Sequence, residues 1–200
     1  MLSARMDPDD YAELKAILRG LGPAANRITV RTINKTLTGV RTDATNEIYK
    51  KLNLTKKRIR EDFAPPQKAY GSNLKGVLKC SGKPIGLYSY GAKQLKSGYV
   101  SVKVLRAGSK KKIRHAFIAK AKNATNVFWR QTIYKKPVKP GFNYAKLPRA
   151  YRFPIERLTG PRIEDIYADP PVLREVLKLG WKRYDKELAR LLQIELNKYK

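Results

Sequence analysis

The sequence predicts an α+β fold in which helices precede and follow a central antiparallel sheet. Apolar residues recur at three- and four-residue intervals in both end regions, whereas in the middle they alternate or form short runs between Gly, Ser, Lys and Asn. The chain has 200 residues and 42% hydrophobic content, which suffices for a buried core. We therefore expect a single domain, with residues 1–63 helical, residues 64–155 basic and β-rich, and residues 156–200 a C-terminal helical region.

The N-terminal region is predicted to contain three helices. Acidic residues and a proline favour a first helix over residues 7–18, and a longer helix is expected from Pro23 to about Asn53. Thr55 is suited to cap a short basic helix over residues 56–60. The apolar stripe expected on the longer helix consists of Ile33, Leu37, Val40, Ala44 and Ile48.

The central region is predicted to form a sheet with one basic, solvated face. Alternation is clearest over residues 99–104, where three valines face one side and Ser101 and Lys103 face the other. Residues 107–112, which end in three consecutive lysines, are expected to be a hairpin turn with a cationic tip. The predicted strands are residues 74–80, 84–90, 99–106, 113–120 and 127–134.

The C-terminal region is predicted to end in one long helix. Asp169 is placed to cap it, and Pro170 and Pro171 suit its first turn. Residues 135–154, which contain four prolines, are expected to form an ordered loop or an extended arm. The apolar face of the helix consists of Leu173, Val176, Leu177, Trp181, Tyr184, Leu188, Leu191 and Leu192.

The charge of the chain is concentrated in its middle. The formal net charge is +28, from 44 Lys and Arg and 16 Asp and Glu. Residues 64–155 contain 21 basic residues and no Asp or Glu. Because this stretch cannot neutralise itself, it indicates a surface that faces nucleic acid, with contact to phosphates rather than to particular bases. An ordinary solvated basic surface is the alternative.

Residue types that carry common catalytic chemistry are scarce. His115 and Cys80 are the only imidazole and thiol, and no glycine-rich phosphate loop is present. We expect no enzymatic activity, no metal and no cofactor. The alternative is a metal-dependent nuclease built on Asp43 and Glu47, one helical turn apart. Since no apolar run approaches the roughly 20 residues that cross a bilayer, we also expect a soluble protein without a membrane partner.

Two features are typical of nucleic-acid-binding proteins. The long helix and the short basic helix have the order of a helix-turn-helix, in which Lys57, Arg58 and Arg60 would meet phosphates, although a packing helix is the alternative. Aromatic residues interleave with Lys and Arg as in sheets that stack bases, but most are expected to fill the core. These aromatic residues are Tyr88, Tyr90, Tyr99, Phe117, Phe128 and Trp129. The predicted DNA-facing residues are Lys93, Lys96, Lys103, Lys110, Lys111, Lys112 and Arg114.

The order of segments over residues 23–198 resembles the minor tail protein Z family of tailed bacteriophages, the tail completion proteins. The most specific piece is Phe-Pro-Ile-Glu-Arg-Leu-Thr-Gly-Pro at residues 153–161. The other matching segments are residues 31–36 with Arg41 and 44–45, residues 54–60, residues 115–119, residues 127–130 and residues 188–196.

The resemblance implies a structural virion protein at the head-proximal end of the tail, assembled in the host cytoplasm. Its implied partners are phage tail and neck proteins and phage DNA, and a hexameric ring is expected. For the assembly interface we favour Pro154, Ile155, Arg157, Gly160, Pro161 and Leu188; for Leu188, burial in its own core is the alternative. A free nucleic-acid-binding protein of ribosomal or chromatin type is the second hypothesis.

Overall fold

The computed structural model describes residues 23–71, 73–121, 124–130 and 155–198. It contains helices and two small antiparallel sheets, which confirms the predicted α+β class. The contacts within the chain group its residues into two compact units. Of the described residues, the helical unit comprises 23–47, 63–71, 73–80 and 167–198, and the sheet unit comprises 48–62, 81–121, 124–130 and 155–166. The single domain stays a prediction. The first predicted helix and the proline-rich arm over residues 135–154 lie outside the described residues.

Two long helices dominate the helical unit. Helix α1 spans Pro23–Lys51 and helix α4 spans Pro170–Leu196, as predicted. Between them in sequence lie the short helices α2, Lys56–Glu61, and α3, Ile163–Tyr167. The predicted Thr55 cap is confirmed, because its hydroxyl accepts a hydrogen bond from the Arg58 backbone N–H at 3.3 Å. No helix among the described residues is long and apolar enough to span a membrane.

Ion pairs between α1 and α4 define an antiparallel register. Arg27 contacts Glu195 at 3.7 Å, Lys35 contacts Glu187 at 3.0 Å, and Arg183 contacts Asp43 at 2.8 Å. Along α1 the partners are eight residues apart, an advance of about 12 Å at each step, so the three pairs are spread along much of the helix. Hydrogen bonds from Lys35 and then Arg190 lower the pKa of Glu187 below its ordinary value, which keeps that carboxylate ionised.

The two helices approach each other at glycines. A Cβ on Gly39 would overlap the Arg183 side chain, and one on Gly180 would lie 3.1 Å from Cγ2 of Val40. The Arg183 side chain passes over Gly39. Its Nη2 donates hydrogen bonds to both carboxylate oxygens of Asp43, at 3.0 and 2.8 Å. The absence of a side chain at Gly39 therefore makes room for this interhelical pair.

The apolar stripe predicted on α1 is buried only in its second half. Ala44 and Ile48 are fully buried. Ile33, Leu37 and Val40 are half-buried because they line a groove of about 330 Å³ in the helical unit. The residues on α4 that complete the groove are Val176, Leu177, Gly180, Trp181 and Tyr184.

Residues 63–80 form an irregular hairpin of the helical unit, in place of the strand predicted over residues 74–80. Isolated bridges join Gln67 to Val77 and Tyr70 to Asn73. The Asn34 side chain on α1 donates to the carbonyl of Ala69 at 2.9 Å and accepts from its N–H at 2.8 Å. The Asn34 side chain thus binds the backbone N–H and carbonyl of Ala69, so these two groups are not available for pairing with a neighbouring strand.

The first sheet of the sheet unit contains three short strands in the order β1-β2-β3: Lys93–Gln94, Val100–Val102 and Lys111–Ile113. The strand predicted over 84–90 is wrong: Leu87–Tyr90 form a 3₁₀ helix, and before it Gly86 forms an isolated bridge to Thr159. Leu87 and Tyr90 are buried while the two residues between them are exposed, which is the three-residue spacing of that helix.

The second sheet has the order β4-β5-β6, with strands Ala116–Ala121, Ala124–Arg130 and Ile155–Arg157. The strand predicted over 113–120 is therefore broken, because β3 ends at Ile113 and β4 begins at Ala116. His115 lies between them with a φ of 57°, a left-handed conformation that interrupts an extended strand.

The segment that follows β6 packs against residues 85–90 of the sheet unit. The Leu87 N–H donates to the Leu158 carbonyl at 3.1 Å, and the Gly160 N–H donates to that of Ile85 at 2.7 Å. The fully buried Tyr90 donates its hydroxyl to the Pro161 carbonyl at 3.0 Å. Burial raises the pKa of Tyr90 to about 12, so this phenol stays protonated.

We expect Gly39 and Arg183 to be energetically coupled. Arg183→Ala should lower the free energy of unfolding by about 1–3 kcal/mol, because it leaves the nearly buried Asp43 carboxylate without its arginine. Gly39→Ala should also destabilise the wild-type chain, since the new Cβ displaces Arg183. In the Arg183→Ala background the same change should be neutral or stabilising, because alanine favours a helix over glycine by about 1 kcal/mol. Urea unfolding of the four proteins measures the coupling; additive effects would contradict it.

A methyl group at Gly160 should destabilise the sheet unit. A Cβ there would lie 2.7 Å from Cε2 of Tyr90, and the closely packed ring has little space to move. Gly160→Ala is expected to cost about 1–3 kcal/mol in thermal or urea unfolding. Gly108→Ala is the matched control, because its Cβ would meet nothing nearer than the Cβ of Leu105 at 3.5 Å. Equal losses in the two variants would show that the Tyr90 contact is not responsible.

Candidate nucleic-acid interface

The first sheet has one buried row and one basic row. Val100 and Val102 on the central strand β2 are buried. Ser101 between them faces the other way, and its neighbours across the strands are Lys93 on β1 and Lys112 on β3. The alternation predicted for β2 thus produces a row of lysine, serine and lysine on the face opposite the valines.

The chemistry of this row suits phosphate oxygens. The two lysines are exposed, and since neighbouring strands are about 4.8 Å apart, their backbones are separated by about 10 Å. The Ser101 hydroxyl between them can donate a further hydrogen bond, as serine often does to phosphates. None of these groups is arranged to recognise a base edge, so the row favours contact that is independent of sequence.

Side-chain hydrogen bonds to the backbone hold the sheet in place. Nδ2 of Asn53 donates to the carbonyls of Tyr90 at 3.0 Å and of Lys103 at 3.1 Å. The Gln94 side chain accepts from the Ile118 N–H at 3.1 Å, which links β1 to β4. These contacts fix the strand that precedes the cationic hairpin and the strand that carries Lys93, so the lysine row has a defined backbone.

The predicted cationic tip is not one continuous surface. Lys111 and Lys112 lie within β3 rather than in a turn. Lys111 pairs with the buried Val102 and Lys112 with Ser101, so their side chains leave opposite faces. Of the other predicted DNA-facing residues, Lys96, Lys110 and Arg114 are exposed outside the strands, and Lys103 is half-buried one residue beyond β2.

One cation of the central stretch has a structural role. The Arg106 guanidinium lies 3.7 Å from the centre of the Tyr49 ring. It also donates to the carbonyls of Leu52 at 3.0 Å and Leu54 at 3.3 Å, just beyond the end of α1. The number of basic residues in the sequence therefore exceeds the number available to a ligand.

The sheet unit remains strongly positive after its own ion pairs are considered. Its described residues include nineteen Lys and Arg but five Asp and Glu. Asp62 accepts from Arg58 at 2.7 Å, and Glu61 lies 3.7 Å from the same arginine. Glu156 accepts from the Trp129 indole N–H at 3.1 Å. None of these carboxylates is paired with Lys93 or Lys112, so the basic row keeps its charge for a partner.

The short basic helix α2 and the interleaved aromatic residues each contain both buried and exposed members. In α2, Arg58 is engaged by Asp62, Ile59 is buried, and Lys57 is exposed. Of the interleaved aromatic residues, Tyr90 is fully buried, and Phe117 and Phe128 face each other across β4 and β5 with ring centres 6.0 Å apart. Tyr88 is the exposed member, at 45%. The expectation that most of this set fills the core is not confirmed, because the members other than Tyr88 and Tyr90 are half-buried.

Asp43, one of the two carboxylates of the alternative metal site with Glu47, is bound by an arginine. Both oxygens of Asp43 accept hydrogen bonds from Arg183. Among the described residues, no group of three or more His, Cys, Asp or Glu could hold a metal ion. A cation at Asp43 would have to displace the arginine.

The residues favoured for assembly have different surroundings. Ile155 and Arg157 on β6 are exposed, whereas Gly160 and Pro161 contact Tyr90 in the same unit. Leu188 on α4 is buried, at 9% exposure. Pro154 lies outside the described residues. The surface available to another molecule is therefore β6 rather than the Gly-Pro pair that follows it.

Sequence analysis missed Ser101 as a possible phosphate contact. It placed Ser101 on the basic face, but the pairing of Lys93 and Lys112 on either side of it depends on strand register. The β1 strand has two residues and no apolar alternation, so no periodic signal indicated it.

Comparison with known proteins identifies no relative: no family model, curated protein or solved structure matches the chain.

The lysine row should determine the salt dependence of DNA binding. Lys112→Ser is expected to weaken duplex binding. It should also make the negative slope of log affinity against log salt less steep by about 0.9. The combined Lys93→Ser and Lys112→Ser change should lower it by about twice that amount. Lys111→Ser is the matched control, because its side chain leaves the opposite face of β3. Fluorescence anisotropy over a salt series measures the slopes, and equal effects at positions 111 and 112 would contradict this geometry.

Proposed function

We propose that the chain is a tail completion protein of a tailed bacteriophage, a structural component at the head-proximal end of the tail. In this proposal its sheet unit contacts phage DNA without reading base sequence. The observation that carries the DNA contact is the row of Lys93, Ser101 and Lys112 in a stretch without carboxylates. No catalytic step is assigned to the protein.

The tail role is supported by the family resemblance. Its most specific segment, residues 153–161, contributes β6 and then the Leu158–Gly160 stretch that pairs with residues 85–87. The packing of Gly160 on the Tyr90 ring gives a physical reason for a glycine near the end of the segment. Exposed Ile155 and Arg157 remain as candidates for contact with a tail or neck protein.

A ring of identical subunits in the virion would suit a DNA conduit. Six copies are the number implied by the resemblance. Their basic stretches would repel one another unless DNA, salt or acidic neighbours offset the charge. We therefore propose that the ring is completed on the tail, with phage DNA or neck proteins as the compensating partners.

The second candidate is a free nucleic-acid-binding protein of ribosomal or chromatin type. It is favoured by one observation, which is that Lys93, Ser101 and Lys112 all come from a single chain. Phosphate contact through this row does not require a ring. Such a protein would be monomeric and would have no fixed place in a virion.

Removing the protein from assembling phage should separate the two candidates. A tail completion protein predicts that particles lacking it accumulate unjoined heads and tails, and that infectivity returns when the wild-type chain is supplied. Electron microscopy and plaque titre measure these outcomes. Normal joining and infectivity without the chain would contradict the tail role, whether or not the purified protein binds DNA.

Light scattering complements this experiment. The nuclease-treated protein would be measured in about 0.5 M salt, where charge is screened over a few ångströms. A species near six times the 22.8 kDa chain mass would support the ring. A monomer would mean that any ring forms only on the tail. The presence or absence of the chain in purified virions would then decide between the tail completion protein and the free nucleic-acid-binding protein.

A further inference from the structure

The tip of the 63–80 hairpin presents an exposed aromatic residue. Tyr70 is 69% exposed, the highest value for a large hydrophobic residue in the part of the chain that the structure describes, and Leu74 across the turn is 47% exposed. The turn is closed by backbone hydrogen bonds between Tyr70 and Asn73 in both directions, at 3.1 and 2.8 Å. Gly71 has a φ of 47°, which this tight turn accommodates most easily with glycine.

The base of the tip is held firmly. Ala69, next to Tyr70, is 3% exposed and is bound through both its N–H and its carbonyl by Asn34. Gln67 and Val77 exchange two backbone hydrogen bonds of 2.9 Å. Since the backbone on both sides is fixed, Tyr70 would lose little conformational freedom on binding a partner.

The surroundings of Tyr70 favour an anionic partner with flat apolar groups. Lys68 and Lys75 lie close to the tip along the two arms and are exposed. Residues 64–80 contain no Asp or Glu that could offset them. Unpaired bases combine an aromatic face with a phosphate backbone, and proteins bind them by pairing aromatic side chains with positive charge. In duplex DNA the base faces are covered by stacking, so such a contact would discriminate against a duplex.

We propose that the hairpin tip is a contact site for single-stranded nucleic acid, in which Tyr70 stacks on a base and Lys68 and Lys75 meet the flanking phosphates. This inference rests on the proposed function, since it narrows the class of nucleic acid bound by the protein. It assigns duplex contact to the Lys93 and Lys112 row and single-strand contact to the 63–80 hairpin.

The test compares a labelled single-stranded oligothymidine with a duplex of the same length, by fluorescence anisotropy of the full chain. Tyr70→Ala should weaken single-strand binding by about 5- to 150-fold, the range for loss of one stacked base. Duplex affinity should change less than about twofold. Tyr70→Phe should retain most single-strand affinity, because stacking requires the ring and not the hydroxyl.

The matched control is Tyr88→Ala, which removes a 45% exposed tyrosine from the sheet unit. Its single-strand affinity should remain at the wild-type value. Urea unfolding of each variant verifies that Tyr70→Ala and Tyr88→Ala are equally folded. The combined Lys68→Ser and Lys75→Ser change should reduce the salt slope for single strands by about 1.4.

The outcomes separate this inference from the proposed function. Unchanged single-strand binding by Tyr70→Ala, or equal loss in Tyr88→Ala, would overturn the inference and leave the exposed tip to a protein partner. Retained duplex binding with its normal salt slope would show that the DNA-contact part of the proposed function survives. Loss of duplex binding in the Lys93 and Lys112 variants alone would, conversely, support the two separate contacts.

Discussion

The helical unit depends on the close approach of α1 and α4 at Gly39. Because Gly39 has no side chain, Arg183 lies across the α1 backbone and binds both oxygens of Asp43. A larger residue would separate the helices or displace the arginine from a carboxylate that is 12% exposed. The more exposed Lys35 and Arg27 pairs contribute less to stability, but their positions are consistent with the same antiparallel register. The helices then provide the surface on which Asn34 holds the 63–80 hairpin.

The sheet unit faces a different constraint, which is its excess of positive charge. The few carboxylates among its described residues include Asp62 beside Arg58 and Glu156 beside Trp129. Arg106 contributes its charge to the Tyr49 ring and to carbonyls near the end of α1. The cations left on the solvated face of the first sheet have the buried Val100 and Val102 behind them. Burial of the valines therefore fixes which lysines face outward, and so couples the core to the proposed DNA contact.

Tyr90 links the segment that follows β6 to this core. Its ring packs on Gly160, and its hydroxyl reaches the Pro161 carbonyl. This arrangement explains Gly160 by intramolecular packing, whereas Ile155 and Arg157 on the edge strand β6 are exposed. An edge strand has unpaired backbone groups and is a common place for another chain to bind. The segment can thus serve stability at one end and assembly at the other.

The sequence by itself determined the helices α1, α2 and α4, the α+β class and the location of the positive charge. Helical periodicity and capping are local, so the extents of α1, α2 and α4 followed from Pro23, Thr55 and the Asp169-Pro170 step. The short strands could not be determined in this way. His115 interrupts one predicted strand by its left-handed backbone, and residues 87–90 form a 3₁₀ helix. The tertiary structure decided which lysines flank Ser101 and left Tyr70 exposed, because strand register and burial depend on contacts between residues far apart in the chain.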